Sequence, residues 1–153
     1  MKLRWGEAGF TLLEIICVLA VIAMLVAIAL PAFPRGTSRT MLDAYAVETA
    51  ALLKADRNAA IRRGVAVATE LSAISRTIRS GATGQLVQLP QDVGFNAVLA
   101  SQCGQRAAGM SIQFLPSGMS CGGTIFLSRL GTTLEVRVAW LTGAVEIVPS
   151  NAF

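Results

Sequence analysis

The chain has 153 residues, 54% hydrophobic and 14% charged, with a net charge of +4 and no histidine. Without imidazole, Ser-His-Asp and Cys-His catalysis are excluded, and a metal site has only three cysteines and scattered carboxylates to draw on. No Walker loop or G-x-G-x-x-G run is present, so the composition points away from an enzyme, with no catalytic residue, no cofactor and no metal expected.

The amino-terminal segment is a short polar leader, residues 1–9, with cations at Lys2 and Arg4 and its end at Gly9. It is followed by Phe10-Thr11-Leu12-Leu13-Glu14, and then by nineteen residues, Ile15 to Phe33, without a charge and with the Cys17 thiol as the only polar side chain. As a helix, residues 10–33 would extend roughly 36 Å, enough to cross a hydrocarbon core of about 30 Å with some tilt. Pro31 falls near the far end, where a membrane helix tolerates a kink. Lys2 and Arg4 favour a cytoplasmic amino terminus, and Arg35 and Arg39 on the other side weaken that bias. The competing reading is a cleaved secretory signal, with Ala27-Ile-Ala29 as its processing site and Leu30 as the new start. Against it, the run exceeds the apolar core of such signals, about 7–15 residues, and Glu14 lies inside it.

Glu14 is a lone carboxylate just within a membrane-length segment. Unpaired in hydrocarbon it would cost several kcal/mol or take up a proton. It therefore either meets a cation on a neighbouring chain or snorkels to the interface.

Beyond Gly36-Thr37-Ser38, Thr40 to Arg63 contains neither glycine nor proline and is predicted to be helical. Leu42, Tyr45, Thr49, Leu52 or Leu53, Asp56 and Ala59 or Ala60 recur at helical spacing, with Asp43, Glu48, Lys54, Arg57 and Arg62 largely off that stripe. Arg62, Arg63 and Gly64 read as a carboxy-terminal stop. Arg57, Arg62 and Arg63 are expected on a solvated face, with an anionic-lipid or nucleic-acid contact as the other reading.

From Val65 the period changes to that of strands, expected at 65–71, 74–79, 85–89, 97–100, 111–115, 124–129, 134–141 and 144–148, with Gly- and Pro-containing turns between them. Thr142-Gly143 is expected to reverse the chain between the last two, carrying Trp140 on an alternating strand as core or groove lining. One long helix followed by a run of strands argues for an α+β fold with a single small antiparallel β domain packed on the helix.

Asp92, Glu135 and Glu146 read as isolated surface carboxylates, and Arg129 and Arg137 as lone cations. Gln102, Gln105 and Arg106 beside Cys103 read as a polar contact loop. Cys17 is most simply a small apolar residue. Cys103 and Cys121 are either bridged, for about 3 kcal/mol by loop entropy, or free thiols.

The run Gly9-Phe10-Thr11-Leu12-Leu13-Glu14 resembles the prepilin signature of type IV pilins and type II secretion pseudopilins. The resemblance implies cleavage between Gly9 and Phe10 by a prepilin peptidase and N-methylation of Phe10. It also makes Glu14 the register-setting acid, neutralised by the new amino terminus of an adjacent subunit. Leu12, Leu13 and Pro31 then belong to the packing surface of the polymerisation helix. Ala59-Ala60-Ile61-Arg62-Arg63-Gly64, Phe114-Leu115-Pro116-Ser117-Gly118, Gly122-Gly123-Thr124-Ile125 and Val136 to Ile147 resemble the H-type minor pseudopilins.

That likeness implies a pilin-like protein in four parts. They are a leader at 1–9, a transmembrane and polymerisation segment at 10–33, an amphipathic helix continuation at 34–64 and a periplasmic antiparallel β domain at 65–153. It would sit in the bacterial inner membrane by a single pass, amino terminus cytoplasmic, and be drawn into a periplasmic pseudopilus. Its expected partners are the I, J and K types of minor pseudopilin, the major pseudopilin, the prepilin peptidase and the inner-membrane assembly platform. The alternative is a minor type IV pilin that initiates pili or binds DNA. With the leader removed, 11 cations and 8 anions remain and the cations are not clustered, so nucleic acid is not the expected partner.

Overall fold

The computed structural model describes residues 11–29 and 36–150. It divides into two units, Met1–Arg35 and Gly36–Phe153. The first contains helix α1 (Leu12–Ala29), whose one charge is Glu14. The second contains helix α2 (Arg39–Arg63) and ten strands.

Helix α2 ends at the predicted stop, and its start is set by a cap the sequence reading did not name. Ser38 is the N-cap, its hydroxyl accepting from the Met41 N–H at 3.2 Å. At the other end Gly64 takes the left-handed conformation (φ 66°) and returns its N–H to the Ala60 carbonyl. The buried face is Leu42, Ala46, Thr49, Ala50, Leu52, Leu53, Asp56, Ala59 and Ala60, the 3.6-residue stripe of an amphipathic helix with one carboxylate set into it. Tyr45 is half-buried against the same core.

The strands are β1 (Val67–Ser72), β2 (Thr77–Arg79), β3 (Leu86–Gln88), β4 (Gly94–Leu99), β5 (Gln102–Cys103), β6 (Arg106–Ala107), β7 (Ser111–Phe114), β8 (Gly123–Arg129), β9 (Thr132–Val138) and β10 (Val145–Ser150). They form not one sheet but two of four strands, ordered β3-β2-β1-β7 and β10-β9-β8-β4, and a small β5-β6 ribbon. Every pairing is antiparallel. Helix α2 packs against strands of both large sheets. Ile78, Ile112 and Phe114 from one sheet and Ile125, Leu127 and Val136 from the other meet its apolar face in one core. The period-2 pattern puts these residues inside, and pairings such as Ile125 with Val136 and Thr69 with Ile112 hold the register. The structure is therefore α+β with a helix packed on antiparallel sheets, as the sequence predicts.

Three local expectations are revised. Residues 74–79 are not all strand. Ile74 to Arg76 form the turn between β1 and β2, with Ile74 fully exposed. Ser72 accepts from the Ser75 N–H, and Arg76 adopts φ 54° while its guanidinium donates to the Pro90 and Val93 carbonyls. Strand β9 stops at Val138, which pairs with Val145, so residues 139–144 form a longer loop than a two-residue reversal. Trp140 consequently leaves the sheet and is 64% exposed, which removes it from the core. The β5-β6 ribbon has no counterpart among the expected strands.

Candidate functional site

The first candidate is α1 itself. Its start is capped by Thr11, whose carbonyl accepts from the Glu14 and Ile15 N–H groups and whose hydroxyl also takes the Glu14 N–H. Glu14 in the first turn suits the positive end of the helix dipole. All side chains from residue 11 to residue 27 are exposed, Leu12 at 77% and Leu13 at 72% among them. A helix apolar on every side has no polar face to give to water, so its burial must come from lipid or from other helices. Among the described residues no cation pairs with Glu14. Among the same residues no helix is long and apolar enough to cross a membrane: the 18 residues of α1 reach about 27 Å, short of a core of about 30 Å. Gly9, Phe10 and Pro31, and the outer ends of the 10–33 segment, lie outside the described residues. Cys17 is an exposed free thiol on α1.

In the β domain, sequence reasoning missed the most heavily used acid. Asp56, fully buried on α2, accepts from Thr69 Oγ1 (2.7 Å), Ser80 Oγ (2.5 Å), Gly81 N (3.1 Å) and Ala82 N (3.3 Å). One carboxylate thus satisfies donors from β1 and from the loop after β2, and fixes both on the helix. Gly81 is required there, because a Cβ would stand 2.2 Å from the Ala68 carbonyl oxygen. The available signal was Asp56's place on the apolar stripe, where a charge survives only if it is paired.

Asp92 and Arg129 are not isolated either. Asp92 accepts from the Thr37 N–H (2.7 Å) and hydroxyl (2.8 Å), and Arg129 binds its carboxylate at 3.1 Å while donating to the Asp92 carbonyl. The Thr37 bonds, and to a lesser extent the Arg129 charge, hold the Asp92 pKa below its ordinary value. This clamp ties the residues entering α2 to the end of β8. Glu135 and Arg137, two apart on β9 and so on one face, form a second ion pair. The Ser150 hydroxyl first, then Arg137, lowers the Glu135 pKa. Arg57 donates to the Gly118 carbonyl at 3.1 Å and Arg63 to the Ala82 carbonyl at 3.2 Å, so neither is merely solvated.

Cys103 and Cys121 stand with Cα atoms 5.4 Å apart and their sulfur atoms adjacent, a separation within the range a disulfide needs. They border an open groove of about 560 Å³ lined by Gln102, Gln105, Arg106, Gln113 and Trp140. Among the described residues no cluster of His, Cys, Asp or Glu forms a metal site.

The described chain thus has an all-apolar helix bearing one early acid and, as a separate unit, a helix-backed antiparallel domain. Residues 6–30 match the family model described as the prokaryotic N-terminal methylation motif. The fold resembles the minor pseudopilin EpsH from the type 2 secretion system of Vibrio cholerae, at 14% identity and TM-score 0.54, over 70% of this chain and 95% of that one. It equally resembles the type IV minor pilin FimU of Pseudomonas aeruginosa, at 16% identity and TM-score 0.55, over 76% of this chain and 94% of that one. No curated protein matches it in sequence. The chain therefore combines a fold similar to that of a minor pseudopilin and a minor pilin with the N-terminal methylation motif.

Proposed function

We propose that this chain is a minor pseudopilin of a type II secretion system, a subunit of the pseudopilus tip that helps move folded exoproteins toward the outer-membrane secretin. The observation that carries the reading is α1: a helix apolar on all sides, with a single acid in its first turn, within the methylation motif. Such a surface is stable in lipid before assembly and against sister helices after it, and Glu14 gives the second state its register.

On this reading a prepilin peptidase cuts between Gly9 and Phe10 and methylates Phe10, whose ammonium meets Glu14 of an adjacent subunit. Leu12, Leu13 and Pro31 pack in the shaft. Residues 10–33 span the inner membrane with the amino terminus cytoplasmic, and the β domain is periplasmic. The partners are the major pseudopilin, the I, J and K minor types and the assembly platform. In the oxidising periplasm Cys103 and Cys121 form a disulfide.

The alternative, a minor type IV pilin, has the FimU likeness in its favour. The DNA-binding form of it is disfavoured by the distribution of cations: Arg57, Arg63, Arg76, Arg129 and Arg137 are each engaged by a carbonyl or a carboxylate, and Arg39, Lys54, Arg62, Arg79 and Arg106 are spread over α2, β2 and β6. A phosphate-binding face needs free, clustered cations. Deletion of the gene in its own host separates the two. Loss of exoproteins from the medium, with pili and DNA uptake intact, supports the secretion role. Normal secretion with lost pili or lost uptake selects the pilin role.

A further inference from the structure

The groove beside Trp140 is lined by no residue of α1, and its chemistry is specific. It is lined by Gln102, Gln105 and Arg106 of the β5-β6 ribbon together with Gln113 of β7, Ser120 and Trp140. The Trp140 backbone is fixed. Its carbonyl accepts from the Ser120 N–H at 2.9 Å, and Ser120 Oγ donates to the Ala139 carbonyl at 3.0 Å. Gly122 (φ 73°) passes so close that a Cβ there would lie 3.2 Å from Trp140 Cβ. The Trp140 backbone and Cβ are thus fixed, and the residue lines the groove while 64% exposed.

Of the polar side chains lining the groove, Ser120 alone makes side-chain hydrogen bonds within the chain, among the described residues. Among the described residues, Gln102, Gln105, Arg106 and Gln113 make no side-chain hydrogen bond or ion pair within the chain, in contrast to the engaged Arg57, Arg63, Arg76, Arg129 and Arg137. No carboxylate lines the groove. The unengaged inventory is one aromatic face, three carboxamides that both donate and accept, and one guanidinium.

We infer that this groove binds a saccharide bearing a carboxylate. The C–H face of a pyranose ring complements the negative face of the Trp140 indole. The carboxamides match vicinal hydroxyls, which likewise donate and accept, and the Arg106 fork matches a carboxylate. Two other occupants fit less well. A peptide adding as a strand needs a free edge several residues long. The β7 side is already used, with Cys121 N–H donating to the Gln113 carbonyl and Leu115 N–H to the Met119 carbonyl, and the β5-β6 ribbon offers edges of only two residues. A single-stranded nucleic acid needs a row of cations along its backbone, and the groove has one.

The chain contains two tryptophans, Trp5 and Trp140. Full-length protein carrying Trp5→Phe, in detergent micelles, therefore reports on Trp140 alone by fluorescence. Trigalacturonate should give a saturable change in emission, with an affinity about fivefold above that of uncharged galactotriose, the worth of one exposed ion pair. Arg106→Gln should erase that preference while galactotriose binding persists, and Gln113→Ala should weaken both sugars without lowering the melting temperature. The proposal is overturned by no saturable response to either sugar, by a preference that survives Arg106→Gln, or by an oligothymidylate that binds more tightly than both. None of these readouts depends on fibre assembly, so failure here leaves the secretion role standing.

Discussion

The Thr69 hydroxyl donates a 2.7 Å hydrogen bond to Asp56, and both residues are fully buried. Thr69 lies on β1 and Asp56 on α2, so the bond joins sheet and helix inside the core. Ser80, Gly81 and Ala82 converge on the same carboxylate. Asp56→Ala leaves Thr69 Oγ1, Ser80 Oγ and Gly81 N without that acceptor, Ala82 N keeping its second bond to Ser80 Oγ, and should destabilise the β domain by at least about 3 kcal/mol. For a domain of this size that is a fall of roughly 10 °C in melting temperature, read by circular dichroism. Gly81→Ala should act in the same direction through its clash with the Ala68 carbonyl. A melt unchanged in both variants would remove Asp56 as the latch.

Thr49 predicts the opposite sign. Its hydroxyl is buried on α2 with no hydrogen-bond partner among the described residues. Thr49→Val keeps the shape and removes the unpaired polar group, and should stabilise by about 1 kcal/mol. A lowered denaturation midpoint would mean that the hydroxyl is in fact engaged.

Acid should loosen the clamp at the entrance to α2. The folded pKa values of Asp92 and Glu135 lie below their ordinary values of 3.8 and 4.5. The native state therefore favours the charged forms, and the stability they contribute is fully present above the ordinary values. It is lost as pH falls through them toward the lower folded values. Urea midpoints measured from pH 6 down through these values should drop, and Asp92→Asn should show a shallower drop, because its side chain no longer titrates. Equal slopes in the two proteins would exclude the Thr37–Asp92–Arg129 clamp as a source of acid sensitivity.

The cysteines can be tested by mass. Oxidised protein should be lighter by the two hydrogens lost on bridging. Cys103→Ser with Cys121→Ser should cost about 3 kcal/mol by the loop-closure estimate. An intact mass equal to that of the reduced chain, from protein isolated without reductant, would show free thiols.

Glu14 and Gly9 address the membrane segment. Gly9→Ala should reduce processing, seen as retained leader mass, and a mature start at Leu30 would instead restore the secretory-signal reading. Glu14→Ala should reduce incorporation into fibres by about tenfold or more, as expected for loss of an ion pair in a low-dielectric setting. The β-domain melt should not move, since Glu14 belongs to a different structural unit. Full incorporation of the Glu14 variant would count against the register role.

Much of this protein was legible in the sequence because local rules decide it. The Gly64 stop, the apolar stripe of α2 and most of the alternating strands follow from backbone preference and side-chain period alone. The apolar run with its lone acid is likewise a property of linear order. Pairing is different. That Asp56 would collect Thr69, Ser80, Gly81 and Ala82, and that Asp92 would bind Thr37 and Arg129, depends on contacts between residues far apart in the chain, which carry no short-range signal. The division into two sheets and the ejection of Trp140 from β9 also arise only when strands take partners, because register fixes where a strand must stop. Sequence thus set which segments are helical, extended or lipid-compatible; three-dimensional packing chose which polar side chains are consumed inside the fold and which, around Trp140, remain free to bind.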